Sequence, residues 1–190
     1  EKFAILTTDF GSINTEYRIG NKIISIPDGT AHFLEHKLYE QPEGDVMYQF
    51  AALGADCNAA TGYSKTYYYF NCTENFEKCL DLLLKHVSQP YFTEQNVEKE
   101  KGIIIQEINM YLDDPYYICG MDLLNLLYKN HPVKKDIAGT EESVRRITPE
   151  MLYQCHRAFY SPRNMCLTVV GDVDQETIYR AVDRAELPQN

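Results

Sequence analysis

The sequence predicts an α+β domain, a mainly antiparallel sheet with helices packed on one face. Three observations carry that expectation. Segments near 3–9, 56–61, 65–72 and 166–170 have the length and turn-bounded pattern of strands. Between them lie segments whose apolar residues recur every three or four positions, the period of a helix with one buried face. The order along the chain is strands, helices, strand, helix, with no internal repeat or low-complexity segment.

The first strand is expected at about 3–9, beginning in Phe3-Ala4-Ile5-Leu6-Thr7-Thr8, with strand-like residues again near 22–26. Pro27-Asp28-Gly29-Thr30 is turn chemistry that delivers the chain into a helix over about 31–38, with Phe33, Leu34 and Leu38 as its apolar face. A second helix runs from Asp45 to Leu53 and is stopped by Gly54. Strands at about 56–61 and 65–72 flank Gly62-Tyr63-Ser64 and form a hairpin. Thr73 to Ser88 is an amphipathic helix with Phe76, Leu80, Leu83, Leu84 and Val87 on one stripe. A longer helix spans about 93–112 and ends at Asp113-Asp114-Pro115, because the residue before a proline is pushed out of the helical region. Gly102 inside it costs about 1 kcal/mol relative to alanine, so it either permits close helix packing or is simply tolerated. Helices follow at about 116–129 and 141–146. Thr148-Pro149-Glu150 sets a capping residue before a proline at the first helical position and opens a helix to about Tyr160. A strand over Cys166–Val170 and a helix from Asp174 or Gln175 come last.

With 190 residues, 44% of them hydrophobic, the chain can bury a full core as one domain, 1–190. No run approaches the ~18 apolar residues of a membrane span. A net charge of −10 argues against nucleic acid as a partner, since phosphate binding needs a basic face. The cysteines at 57, 72, 79, 119, 155 and 166 contain no C-x-x-C pair. Buried free thiols in a reducing compartment are therefore expected, and with them a cytoplasmic location. Cys155 and His156 are neighbours that face apart on a helix, which argues against a thiol–imidazole couple. His86 and His131 have no metal-like spacing and are expected at the surface or in caps.

The chemistry lies in His32-Phe33-Leu34-Glu35-His36, an H-x-x-E-H motif. Residues four apart on a helix sit nearly above one another, so His32 and His36 project from one face and can share a metal ion. Glu35 flanks that face, free to take a proton from water on the metal. The alternative is a surface helix with two unrelated histidines and a solvated glutamate. A catalytic zinc needs a third protein ligand and one open position. Glu107 is the best candidate: Glu100 and Glu107 are two helical turns apart on one face, with Ile103, Ile104 and Tyr111 on or beside that stripe. Acidic groups on an apolar face are costly to bury unless paired or metal-bound.

Other segments extend the pattern: Asp9-Phe10-Gly11-Ser12; Gly29-Thr30-Ala31 leading into the pentapeptide; Gly54-Ala55-Asp56-Cys57-Asn58-Ala59-Ala60-Thr61; and Glu100 with Glu107. Ile137-Ala138-Gly139-Thr140-Glu141-Glu142-Ser143-Val144, Phe159-Tyr160-Ser161-Pro162-Arg163-Asn164-Met165 and Val169-Val170-Gly171-Asp172-Val173 follow. In this order they resemble the pitrilysin, insulin-degrading enzyme and mitochondrial processing peptidase family of inverzincin zinc peptidases, nearest its bacterial processing-protease-like branch. The resemblance covers nearly the whole chain. It implies a zinc-dependent metalloendopeptidase with one Zn2+ per chain, His32, His36 and Glu107 as ligands and Glu100 in support. It further implies that Glu35 activates the zinc-bound water. Asn58, Ala59, Ala60 and Thr61 then match the edge strand against which a peptide substrate pairs its backbone. The gap of 71 positions from His36 to Glu107 is a few fewer than usual in the family, which implies a shorter intervening loop. Family members enclose substrate between two homologous halves, on the same or a separate chain. The chain thus resembles an excised catalytic domain that need not be active alone. The family also holds non-catalytic structural or partner subunits, the alternative reading, but such members generally lack the complete motif.

Overall fold

The computed structural model describes residues 1–188. β1 (Lys2–Thr8) is followed by a hairpin of β2 (Glu16–Ile19) and β3 (Lys22–Ser25), then by helix α1 (Thr30–Leu38). Two short strands, β4 (Glu40–Gln41) and β5 (Gly44–Asp45), lead into α2 (Val46–Ala52). The hairpin of β6 (Ala55–Thr61) and β7 (Thr66–Cys72) precedes α3 (Phe76–Ser88), α4 (Glu94–Leu112) and α5 (Pro115–Leu127). A 3-10 turn at Pro132–Lys134 is followed by α6 (Glu141–Arg145), α7 (Pro149–Phe159), β8 (Met165–Val170) and α8 (Gln175–Arg184).

Strands β6, β7, β1 and β8 form one antiparallel sheet in that order. Register makes the two faces unequal. Leu6 pairs with Tyr68 on one side and Leu167 on the other, so these share a face. Successive side chains alternate across the pleat. Ala4, Leu6, Tyr68 and Phe70 are therefore buried together, while Phe3, Ile5, Tyr67 and Tyr69 on the opposite face are only half-covered. The buried face receives Leu80, Leu83, Leu84 and Val87 of α3 and Phe33, Leu34 and Leu38 of α1. Each such side chain, fully buried, contributes about 1.5–3 kcal/mol. The structure is thus an α+β sheet with helices on one face, as the sequence predicts.

Local chemistry accounts for the departures. α3 starts at Phe76 rather than Thr73, because Asn75 adopts a left-handed conformation (φ 56°) and its amide donates to the Leu53 carbonyl at 3.1 Å. β2 escapes sequence reading because Ile19 and its hairpin neighbour Ile23 are both more than half exposed, so no buried face marks the alternation. α5 ends at Leu127, two residues early, and α8 begins at Gln175. His131 does cap a turn, its Nδ1 accepting from Val133 N–H at 3.1 Å. His86 corrects the expectation of a surface or capping residue: it is buried against the rings of Tyr39, Phe50 and Tyr68. All six cysteines are free, but Cys119 and Cys166 are exposed. Cys119 lies on α5, none of whose residues is buried, and Cys166 on the open face of β8. No described helix is long and apolar enough to cross a membrane.

Gly102 serves no close approach, since a Cβ built there meets nothing within 4 Å. Gly102→Ala is accordingly expected to stabilise the fold by about 0.5–1 kcal/mol through helix propensity alone, read as a higher urea midpoint at unchanged slope.

Candidate metal centre

The start of α1 is fixed by two backbones in contact. Gly29 sits at φ 88°, and a Cβ there would lie 2.3 Å from the Ala138 carbonyl oxygen. Gly139 sits at φ 80°, and its Cβ would lie 2.5 Å from the Asp28 carbonyl oxygen. Lys135 Nζ adds an ion pair to Asp28 at 2.8 Å. The 137–144 motif is thereby locked against the turn that launches α1. With Phe33, Leu34 and Leu38 committed to the core, His32, Glu35 and His36 are turned toward α4 and β6.

α4 is held by a reciprocal capping box between Thr93 and Asn96 and by the buried Val97, Ile104 and Ile108. Its Glu100 and Glu107, two turns apart, face α1. His32 Nε2 lies 3.6 Å and His36 Nε2 3.5 Å from Glu107 Oε2. The three donor atoms fall within 4.8 Å of one another. Among the described residues this is the one His, Cys, Asp and Glu cluster able to share an ion. Ligands roughly 2.0–2.1 Å from a tetrahedral zinc lie about 3.3–3.4 Å apart, close to these spacings. Glu107 Oε2 is also buried with no hydrogen-bond partner. A carboxylate oxygen left so between two imidazole nitrogens suits a cation. The donors therefore fit a zinc ion with an open position.

The two imidazoles meet opposite electrostatics. Burial, helped by His36, pulls the His32 pKa down to about 3, so its imidazole is neutral over the ordinary pH range. For His36, burial acts downward, but its bond to Glu100 and the charges of Glu100, Glu35 and Glu107 outweigh it and raise its pKa. Its Nδ1 meets Glu100 Oε1 at 3.0 Å. A carboxylate there fixes the proton on Nδ1 and leaves Nε2 for a metal. Burial acts upward on Glu100, yet His36 and Lys37 hold its pKa below the usual carboxylate value.

Glu35 lies beside the donors. Burial raises its pKa, partly offset by a hydrogen bond donated by Thr61 Oγ1 to Oε2 at 2.7 Å and by His36. β6 is an edge strand, so one of its sides is open to a further strand. The candidate substrate residues divide there. Asn58 lines a cavity of about 550 Å³ shared with Tyr39, Met47 and Ile103. Ala59, Ala60 and Thr61 line one of about 320 Å³ that holds His32 and Glu107. Glu35 and His36 border both. The Thr61 hydroxyl is engaged by Glu35, and the Ala59 N–H donates to the side chain of Asn58 at 2.8 Å.

Sequence reading misses several members. The far wall of the smaller cavity is Tyr117, its hydroxyl donating to Asp136 at 2.7 Å, with Tyr111 stacked on it at 4.9 Å. Nothing local marks Asp136. Lys37 is wholly buried behind Glu100, and nothing local in the sequence marks it.

A sequence profile for insulinase (peptidase family M16) matches residues 26–141, a span holding His32, Glu35, His36 and Glu107. A profile for the peptidase M16 inactive domain matches residues 146–186, which hold none of them. A zinc protease of Bacillus subtilis, YmfH, itself uncharacterized, is 49% identical over 182 residues, 95% of this chain and 42% of that protein. The crystal structure of an M16-like peptidase from Alicyclobacillus acidocaldarius superimposes with a TM-score of 0.94 at 43% identity, over 100% of this chain and 45% of that one. A protease from Helicobacter pylori has the same fold, at TM-score 0.85 and 22% identity over 97% of this chain and 44% of that one. The chain thus spans less than half the length of these relatives. With the profile spanning the candidate site and near-half identity to a protein named for zinc and proteolysis, the chain belongs to the M16 (insulinase) peptidase family.

Proposed function

We propose that this chain is the catalytic, zinc-binding part of a metalloendopeptidase. The observation that carries the reading is Glu107 Oε2, buried without a donor between two imidazole nitrogens. A zinc ion held by His32, His36 and Glu107 would polarise the scissile carbonyl and lower the pKa of water at its open position to about 7. Glu35 takes the proton of the attacking water and passes it to the leaving amine. Its raised pKa suits both transfers, and Thr61 holds one of its oxygens in place. The substrate is a peptide or unfolded segment, because only an extended backbone can add to the edge of β6 over Asn58–Thr61. Laid there, it passes both cavities, on either side of Glu35. A second homologous half, on this chain or another, encloses it. The free thiols suit a reducing compartment such as the cytoplasm.

The match of residues 146–186 to an inactive-domain profile favours the rival, a non-catalytic subunit of the same fold. Against it, the donor set upstream is complete. The test is elemental analysis of this chain and of Glu107→Ala. About one zinc per chain, with most of it lost in the variant, is the expected result. No zinc in either protein after metal reconstitution would overturn the peptidase reading and favour the subunit.

A further inference from the structure

We infer that Lys37 is a positioning residue of this centre: acting through Glu100, it holds His36 in the tautomer and orientation a metal ligand needs. The inference rests on the reading of His32, His36 and Glu107 as a zinc site.

Lys37 is 0% exposed, on a helix face otherwise filled by Leu34 and Leu38. An ammonium taken fully from water costs several kcal/mol unless charged partners meet it, and an apolar residue of similar volume would fill the space at no such cost. Its partners are Glu40 Oε2, in a hydrogen bond, and Glu100 Oε2, at 3.8 Å. Glu40 lies one turn further on and is over a third exposed, a pair that a surface lysine could make equally well. Glu100 is the informative partner. One of its oxygens meets His36 Nδ1 at 3.0 Å and the other faces Lys37. A carboxylate held at one oxygen can rotate away from its imidazole. The Lys37 charge, 3.8 Å from the other oxygen, opposes that rotation. His36 Nε2 is thereby kept facing Glu107 Oε2 at 3.5 Å. Lys37 also places a positive charge behind a cleft that otherwise gathers Glu35, Glu100 and Glu107.

The experiment is a zinc-affinity titration against a chromophoric chelator, on wild type, Lys37→Met, Glu100→Gln and the double variant. Loss of a partner behind a ligand typically weakens metal binding about 10–100-fold. Lys37→Met is expected to weaken zinc at least about tenfold, and the double variant to bind no more weakly than Glu100→Gln alone. A structural role alone would lower the melting temperature of the metal-free protein and leave zinc affinity unmoved. Zinc affinity in Lys37→Met within twofold of wild type overturns the proposal, and so do losses that add in the double variant. Should Lys37→Met not fold, Lys37→Gln carries the same expectation: it keeps a polar donor but removes the charge that faces Glu100. A wild-type chain that takes up no zinc overturns the site reading itself, a result distinct from a wild type that binds and a variant that binds as well.

Discussion

Glu35→Gln is expected to lower peptide hydrolysis by about 10²–10⁴-fold while zinc remains bound, measured on an enzyme that carries both halves. The substitution is nearly isosteric, and the Thr61 Oγ1 bond to Oε2 at 2.7 Å can persist to an amide oxygen. What is lost is the capacity to accept a proton. The side chain is not among the three donors that converge within 4.8 Å, so metal content should be untouched. Because burial raises the Glu35 pKa, the wild-type rate should fall on acidification at a higher pH than an ordinary carboxylate would give, and that limb should vanish in the variant. Unchanged turnover with zinc in place would remove Glu35 from the mechanism. Thr61→Val is the companion measurement: it loosens Glu35 without removing its carboxylate, so part of the activity should remain.

What the sequence reveals of this site follows from distance along the chain. His32, Glu35 and His36 are legible because one turn of one helix places them, and the turn residues before Thr30 announce that helix. Glu107 is legible because it repeats Glu100 at two turns. Even the edge strand shows, through the Gly62-Tyr63-Ser64 turn that bounds it. Lys37 and His86 do not show, because their burial is decided elsewhere. A lysine becomes buried only when a glutamate 63 positions on closes over it. A histidine becomes a core residue only when Tyr39, Phe50 and Tyr68, from three separate elements, box it in. Sequence patterns record which face of an element is apolar, and a polar residue on that face reads as exposed until its distant partners are known. β2 fails for the opposite reason: its Ile19 stays exposed, so the pattern has no burial to report, whereas its partner β3 is legible in the strand-like residues near 22–26.

His86 and His156 carry the second large expectation, an acid loss of stability independent of the metal. Burial lowers both to about 4 from the ordinary histidine value of 6.5. His86 donates Nδ1–H to the Leu82 carbonyl at 2.9 Å, while its Nε2 is buried with no partner. His156 donates Nε2–H to the Val87 carbonyl at 2.8 Å and stacks on Tyr160 at 4.7 Å. A proton added to His86 must enter at that Nε2, where no acceptor meets it, and one added to His156 must be carried in a buried ring. The unfolded chain takes up these protons as the pH falls through 6.5, and the folded chain does so only near 4. Between those values the unfolded state binds more protons, so stability declines as pH drops. Each histidine should contribute a loss of about 3 kcal/mol by pH 4, a large share of the roughly 5–15 kcal/mol that holds a domain folded. His32 is shifted downward and His36 upward, and both belong to the candidate metal centre. The informative quantity is therefore the difference between wild type and the His86→Met, His156→Met double variant, taken from urea unfolding at pH 7 and at pH 4.5. Methionine fills irregular core space and cannot titrate. The gap in unfolding free energy should narrow toward acid pH, because only the wild type loses stability to these two protonations. A gap that stays constant would mean that neither imidazole is held neutral by the core.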